Sequence, residues 1–189
     1  MKRRLFLFGA PALLAGCAAR FGPPSVAPPG RVEALTRALI AMSPVVDPQE
    51  AASAAALAYS ETHRLAIAYE IVDPPLLHNI KVNAGQKPRG LCWHWAEDME
   101  ARLNAEGYRT LALHRAIANA DSDLLIDHST AIIAPVGAAW DEGMVLDPWR
   151  YGGELFWARV REDTRYDWDE REAVMRRHGR IRYLRQGAT

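Results

Sequence analysis

Cys92, His128 and Asp147 are the residues whose types and order could make and break an acyl bond. Cys92 follows Gly90-Leu91 and opens a predicted helix. A thiol placed there meets unpaired N–H groups and the positive end of the helix macrodipole. Both favour the thiolate, which is the reactive form. A sulfur nucleophile also needs a base, and the base needs a group to orient it. His128 stands at the mouth of the apolar run Ser129–Ala134, and Asp147 closes the run Met144–Leu146 ahead of Pro148-Trp149. If those runs are adjacent strands, Asp147 holds the imidazole while His128 takes the thiol proton.

Other titratable residues compete for these roles. His94, two positions after Cys92, points roughly 200° away on a helix and cannot easily face the thiol. His114, at the end of the strand expected after the Cys92 helix, stays open as an alternative base. His63 reads as a surface or packing residue, His78 and His178 as surface residues, and Asp98 and Asp127 as solvated acids. Trp149 follows Asp147 closely enough to shield it from water, whereas most of the six tryptophans belong in a core. No His-Glu-x-x-His, Cys-x-x-Cys pair or glycine-rich phosphate loop occurs, so no metal or cofactor is expected.

The apolar pattern outlines the elements that must position these groups. From Val32 to Met42, Leu35, Leu39 and Met42 recur at helical spacing. Asp47-Pro48 has the form of a cap with proline at the first helical position. The alanine-rich stretch from Gln49 to about Val72 predicts a long helix, ended by Asp73-Pro74-Pro75. A polar loop, Asn83–Gly90, leads into a helix from about Leu91 to Ala105, with Ala96, Met99 and Leu103 inward and Gly107 ending it. The period then becomes two. Tyr108–Leu113, Ser129–Ala134, Met144–Leu146 and Glu154–Ala158 predict strands, with Tyr151-Gly152-Gly153 as a turn. Trp168–His178 predicts a charged helix ending at Gly179, and Ile181–Leu184 a last strand. Helices first and strands afterwards point to an α+β class with an antiparallel sheet.

The start of the chain reads as an address. Met1-Lys2-Arg3-Arg4 is basic, and Leu5–Ala15 is apolar but too short to cross about 30 Å of hydrocarbon. Leu14-Ala15-Gly16-Cys17 resembles a lipobox. On that reading residues 1–16 are a signal peptide and Cys17 is lipidated. Residues 17–30, with Gly22-Pro23-Pro24 and Pro28-Pro29-Gly30, then form a tether for a domain of residues 31–189 on the periplasmic side of a bacterial membrane. Arg3-Arg4-Leu5-Phe6-Leu7 also resembles a twin-arginine signal, so both export routes stay open. Ala18 after the lipidated cysteine favours the outer membrane.

Charge excludes one class of partner. The chain carries 23 Lys and Arg against 23 Asp and Glu, and removal of residues 1–16 leaves 20 basic side chains against 23 acidic ones. Neither balance suits a grip on nucleic acid. The basic run Arg176, Arg177, Arg180, Arg182 and Arg185 reads as a solvated face able to touch anionic headgroups or cell-wall polymer. Lipidation of Cys17 would also leave Cys92 as the single thiol of an exported protein, without a disulfide partner.

Gly90-Leu91-Cys92-Trp93, then His128 leading a strand, then Leu146-Asp147-Pro148-Trp149, resembles the Cys–His–Asp order of transglutaminase-like proteins, within the papain-like cysteine peptidase superfamily. The resemblance covers roughly Asn83 to Trp157. It implies a cysteine-bearing helix packed on an antiparallel sheet that supplies the histidine and aspartate. It further implies acyl transfer through a thioester, ending in hydrolysis or transamidation of an amide in a protein, peptide or cell-wall peptide. Gln86 lies six residues before Cys92, the interval at which papain-like enzymes place an oxyanion-hole glutamine; Asn83 is the alternative. The aromatic-rich segment usual around the family histidine is replaced by Asp127-His128-Ser129-Thr130. An NlpC/P60-type cell-wall peptidase shares the nucleophile, but its Asp-Cys-Ser-Gly surround is absent. A non-catalytic lipoprotein, with Cys92 as a core residue, is the reading from a different class.

Overall fold

The computed structural model describes residues 27–180. The segment read as a signal peptide, Cys17, most of the expected tether, Arg182, Arg185 and the expected strand Ile181–Leu184 lie outside the described residues. The elements follow one another as α1 (Arg31–Ile40), α2 (Pro48–Ala68), α3 (Pro75–Asn83), α4 (Cys92–Asn104), β1 (Leu111–Ala118), β2 (His128–Pro135), β3 (Met144–Asp147), β4 (Phe156–Arg159), β5 (Trp168–Glu170) and α5 (Arg171–Arg177). The fold is α+β: the five strands form one antiparallel sheet in the order β4-β3-β2-β1-β5.

Local chemistry explains the helix starts. Asp47 accepts from the N–H groups of Gln49 (2.7 Å) and Glu50 (3.1 Å), and Pro48 sits where a missing N–H costs nothing. β2 runs through the middle of the sheet and is buried along its length. On one face Met99 and Leu103 of α4 join Leu35 and Leu39 of α1, Ala58 of α2, and Ala131 and Ile133 of β2 in one core. On the other face Ala116, Ile132, Val145, Val160 and Trp168 make a smaller cluster, with Trp140, Phe156 and Tyr166 half-buried against it.

Several elements differ from the sequence expectation, and four of the differences have a clear physical reason. α2 stops at Ala68 rather than near Val72. Glu70 enters the left-handed region (φ 54°), and the N–H groups of Glu70 and Ile71 turn back onto the carbonyls of Ile67 and Ala66. This is a Schellman ending without glycine, and it folds Ile71 into the core beside Tyr69 and Trp95. After Asp73-Pro74 the chain forms α3, where no element was expected, with Pro75 at its first position. β1 begins at Leu111, not Tyr108, because the N–H groups of Arg109 and Thr110 are taken by the Glu50 carboxylate at 2.9 and 2.8 Å. Trp168–Glu170 pairs with β1 as an edge strand before α5 starts.

α3 braces the turn before α4. Its His78 is buried, not on the surface as expected, and its Nε2–H donates to the Arg89 carbonyl at 2.9 Å. Gly90 has φ 123° and lies directly against that imidazole; a Cβ there would overlap the ring at Nε2 and Cδ2. Backbone strain and overlap therefore both oppose a side chain. Gly90→Ala is expected to cost about 2–4 kcal/mol in denaturant unfolding. Adding His78→Ala is expected to cost less than the two single losses together, because it removes the overlap but not the strain. Additive losses would mean that the turn relaxes away from His78.

Candidate active site

α4 carries Cys92 as its first residue, and Cys92 is 8% exposed. No side chain of the preceding Leu91 caps this end. His94 turns back instead, and its Nδ1 accepts from the N–H groups of Gly90 (3.1 Å) and Leu91 (3.2 Å). Burial, reinforced by the Arg89 charge and opposed by Asp98, holds His94 down at about 4, so it stays the neutral acceptor this cap requires. The helix start thus keeps its N–H groups at Cys92 and Trp93 without an intrahelical acceptor. The thiol donates to the Asp127 carbonyl at 3.6 Å, which ties α4 to the residue just before β2.

His128 opens β2 and Asp147 closes β3, and the antiparallel register sets both at the same end of the sheet. Nε2 of His128 lies 2.8 Å from Oδ2 of Asp147, and each residue is 1% exposed. The other ring nitrogen, Nδ1, is buried with no hydrogen-bond partner. Burial pulls the imidazole down, but the Asp147 charge and hydrogen bond, with Cys92 adding to them, lift it to about 9. The Cys92 side chain therefore lies within electrostatic reach of an imidazole whose free nitrogen is Nδ1. Burial disfavours the Asp147 charge, yet His128 and Arg150 hold its carboxyl below the ordinary value.

The sequence reading did not single out Arg150, and it is central. Its backbone N–H donates to Asp147 Oδ1 (3.1 Å) and its Nε to Oδ2 (2.9 Å). Its two terminal nitrogens grip Asp163 at 3.1 and 2.6 Å, and Trp168 Nε1 donates to the same carboxylate at 2.9 Å. The guanidinium lies 3.7 Å from the Phe156 ring centroid and 4.8 Å from that of Tyr166. A cation three residues after a strand-ending aspartate is a local signal that could have been read. Asp163 gives no such signal, because only the fold brings it there. Rings enclose His128: Trp149 and Tyr166 centroids lie at 4.6 Å and Trp168 at 5.3 Å. Trp149 is itself fixed by Asn79 of α3, whose Oδ1 accepts from Nε1 at 3.1 Å.

The remaining candidates fall elsewhere. His114 lies in the middle of β1, opposite Ile132, rather than at a strand end. Side-chain alternation places it with Ala116 on the sheet face away from α4. Gln86 is exposed in the turn after α3, where its N–H donates to the Lys81 carbonyl, and Asn83 is exposed at the last position of α3. His178 is exposed and meets Asp121; Asp127 pairs with Arg180, while Asp98 accepts from Tyr69 and Arg89. Among the described residues no group of three or more His, Cys, Asp and Glu is placed to hold a metal ion.

The fold and the site define a class: an α+β protein in which a helix-initial cysteine meets a His–Asp pair supplied by the ends of two neighbouring strands. No protein-family model, curated protein or solved structure matches the chain.

Two measurements check this electrostatic network. His128 has a folded value of about 9, above its ordinary 6.5, so its protonation stabilises the fold. That contribution is complete below pH 6.5 and is lost as pH rises through 9. Asp147 works oppositely, stabilising above its ordinary value near 4 and failing on acidification. His128→Gln is expected to flatten the alkaline decline in unfolding free energy, and an unchanged slope would refute the assignment. Arg150→Ala strands Asp147 and Asp163 in the interior and is expected to cost about 3–5 kcal/mol, with Arg150→Met no milder electrostatically.

Proposed function

We propose that this protein is a membrane-anchored thiol acyl-transfer enzyme of the transglutaminase-like kind, acting on an amide of a protein or peptide on the periplasmic side of a bacterial membrane. The observation that carries the reading is the division of labour on one buried imidazole. Nε2 is committed to Asp147 at 2.8 Å, which leaves Nδ1 for the helix-initial Cys92, whose side chain is close enough to raise the imidazole's affinity for a proton. The Cys92 thiolate attacks the amide carbonyl carbon, and the carbonyl electron pair moves onto oxygen. N–H groups at the start of α4 stabilise that oxyanion. As the C–N bond breaks, the His128 imidazolium gives its proton from Nδ1 to the leaving amine, and a thioester forms at Sγ. Water or a second amine then attacks the thioester while His128 takes its proton, and Cys92 is released as thiolate. Asp147 keeps the ring oriented and stabilises its charged form; Trp149, Tyr166 and Trp168 keep water from it. Gln86 would supply the second oxyanion donor only if the turn after α3 folded toward Cys92.

A second reading has one observation in its favour. Cys92 packs with Leu65, Trp95 and Trp149 in an apolar cluster, as a structural cysteine of a binding module would. Iodoacetamide alkylation at Cys92 across pH separates the two. In the enzyme reading His128→Ala slows alkylation at pH 7 by about 10- to 30-fold, to the rate of a thiol with the ordinary value near 8.5, and His114→Ala leaves the rate unchanged. A folded protein whose Cys92 is inert from about pH 6 to 9 would instead be a binding module.

A further inference from the structure

An apolar surface along the segment from Ile67 to Ile80 lacks a cover. Ile67 at the end of α2, Val72 in the following turn, and Leu76, Leu77 and Ile80 of α3 are between 43% and 65% exposed. The inner side of the same segment packs normally, through Tyr69, Ile71 and His78. The segment thus buries one side and turns a row of aliphatic side chains outward, which a helix at a plain aqueous surface does not do. The nearby charges are matched locally: Lys81 with Asp73 at 2.7 Å, Lys87 with Glu70 at 2.9 Å, and Arg64 with Glu61 at 2.6 Å. The surface therefore offers a partner apolar area and no net charge.

The chain itself indicates the occupant. Ala27 and Pro28, where the tether reaches the domain, line a small cavity with Thr62 and His63 of α2. Ile67 follows His63 by four residues, so it lies on the same helix face about 6 Å further along. Ala27 lies ten residues further along the chain than Cys17, a reach of at most about 33–36 Å when extended. An acyl chain on Cys17 would keep a bilayer permanently within reach of this face, at high effective concentration.

We propose that the aliphatic surface from Ile67 to Ile80 rests on the lipid bilayer, in the apolar boundary beneath the headgroups. The proposal rests on the reading of Cys17 as lipidated. The lipid anchor supplies retention, and the surface supplies orientation. α3 is joined to the active site through His78 against Gly90 and Asn79 on Trp149. Docking by α3 would therefore hold the start of α4, with Cys92, beside the membrane, so the acyl donor is a chain presented close to the lipid surface. Because the local ion pairs are closed, docking should need no anionic lipid.

The test uses the full chain, purified from membranes with Cys92→Ser, and carrying a bimane label at Leu76→Cys or Ile80→Cys. The controls are Val45→Cys and Val136→Cys, two exposed apolar positions near Thr110. Asp47, two residues after Val45, donates to the Thr110 hydroxyl, and Val136 donates to the Thr110 carbonyl, at the end of the sheet away from His128. The protein is placed on phosphatidylcholine vesicles with and without brominated acyl chains. Expected is a blue shift and about twofold or greater quenching at the two α3 positions only, unchanged when phosphatidylglycerol is added. Equal quenching at all four positions, or none at any, on protein that floats with the vesicles would overturn the docking while leaving the anchor intact. Protein that fails to float with vesicles overturns the anchor, and the docking with it. A blue shift at the α3 positions without lipid quenching, in a protein that sediments as a dimer, would overturn the docking and assign the surface to a second copy.

Discussion

A carboxylate buried in the interior must be paired, and Asp147 is buried completely enough that the surrounding architecture is organised by that demand. His128 answers from one side and Arg150 from the other. Arg150 then brings its own surplus of donors, which Asp163 absorbs with both oxygens. Asp163 in turn fixes the indole of Trp168, and Trp168 heads the edge strand that completes the sheet. The chain of pairing runs from the candidate catalytic histidine to the last strand, and each charge in it meets an opposite one.

The thiol depends on a different set of constraints. A cysteine at a helix start is exposed to competition from any side chain that could cap the same N–H groups. Here the cap is the neutral Nδ1 of His94, which takes the N–H groups of Gly90 and Leu91 and leaves those of Cys92 and Trp93. Gly90 makes that turn possible with a backbone angle a side chain would strain, and α3 presses His78 against it. An element that carries none of the three candidate residues thereby sets where Cys92 stands. The same element steadies Trp149 over the imidazole.

In the proposed chemistry the two halves meet at one atom, Nδ1 of His128. The aromatic shell lowers the local dielectric, which strengthens the pull of Asp147 on the imidazolium and of the imidazolium on a thiolate. Burial alone would discharge the ring, so the pair persists only because the carboxylate behind it stays ionised. Arg150 ensures that it does. A weaker network would leave a neutral imidazole.

Much was legible in the sequence where the signal is local. The Asp47-Pro48 cap, the inner stripe Ala96, Met99 and Leu103, the runs that became β2 and β3, and the α+β order all follow from periods and caps that neighbouring residues decide. The order Cys92, His128, Asp147 was legible for the same reason: each sits where one element starts or stops. The glycine-free Schellman ending at Glu70 and the helix starting at Pro75 were not, because the energy that favours them comes from Ile71, His78 and Asn79 reaching distant partners. Register was decided by tertiary structure as well. Glu50 holds Arg109 and Thr110 out of β1, and pairing sets His114 opposite Ile132 in mid-strand, away from the strand end where His128 stands. Residue types and spacing determine which chemistry is available. Only the packed fold decides which of six histidines is desolvated beside a carboxylate, since burial and charge pairing depend on neighbours far away in the chain.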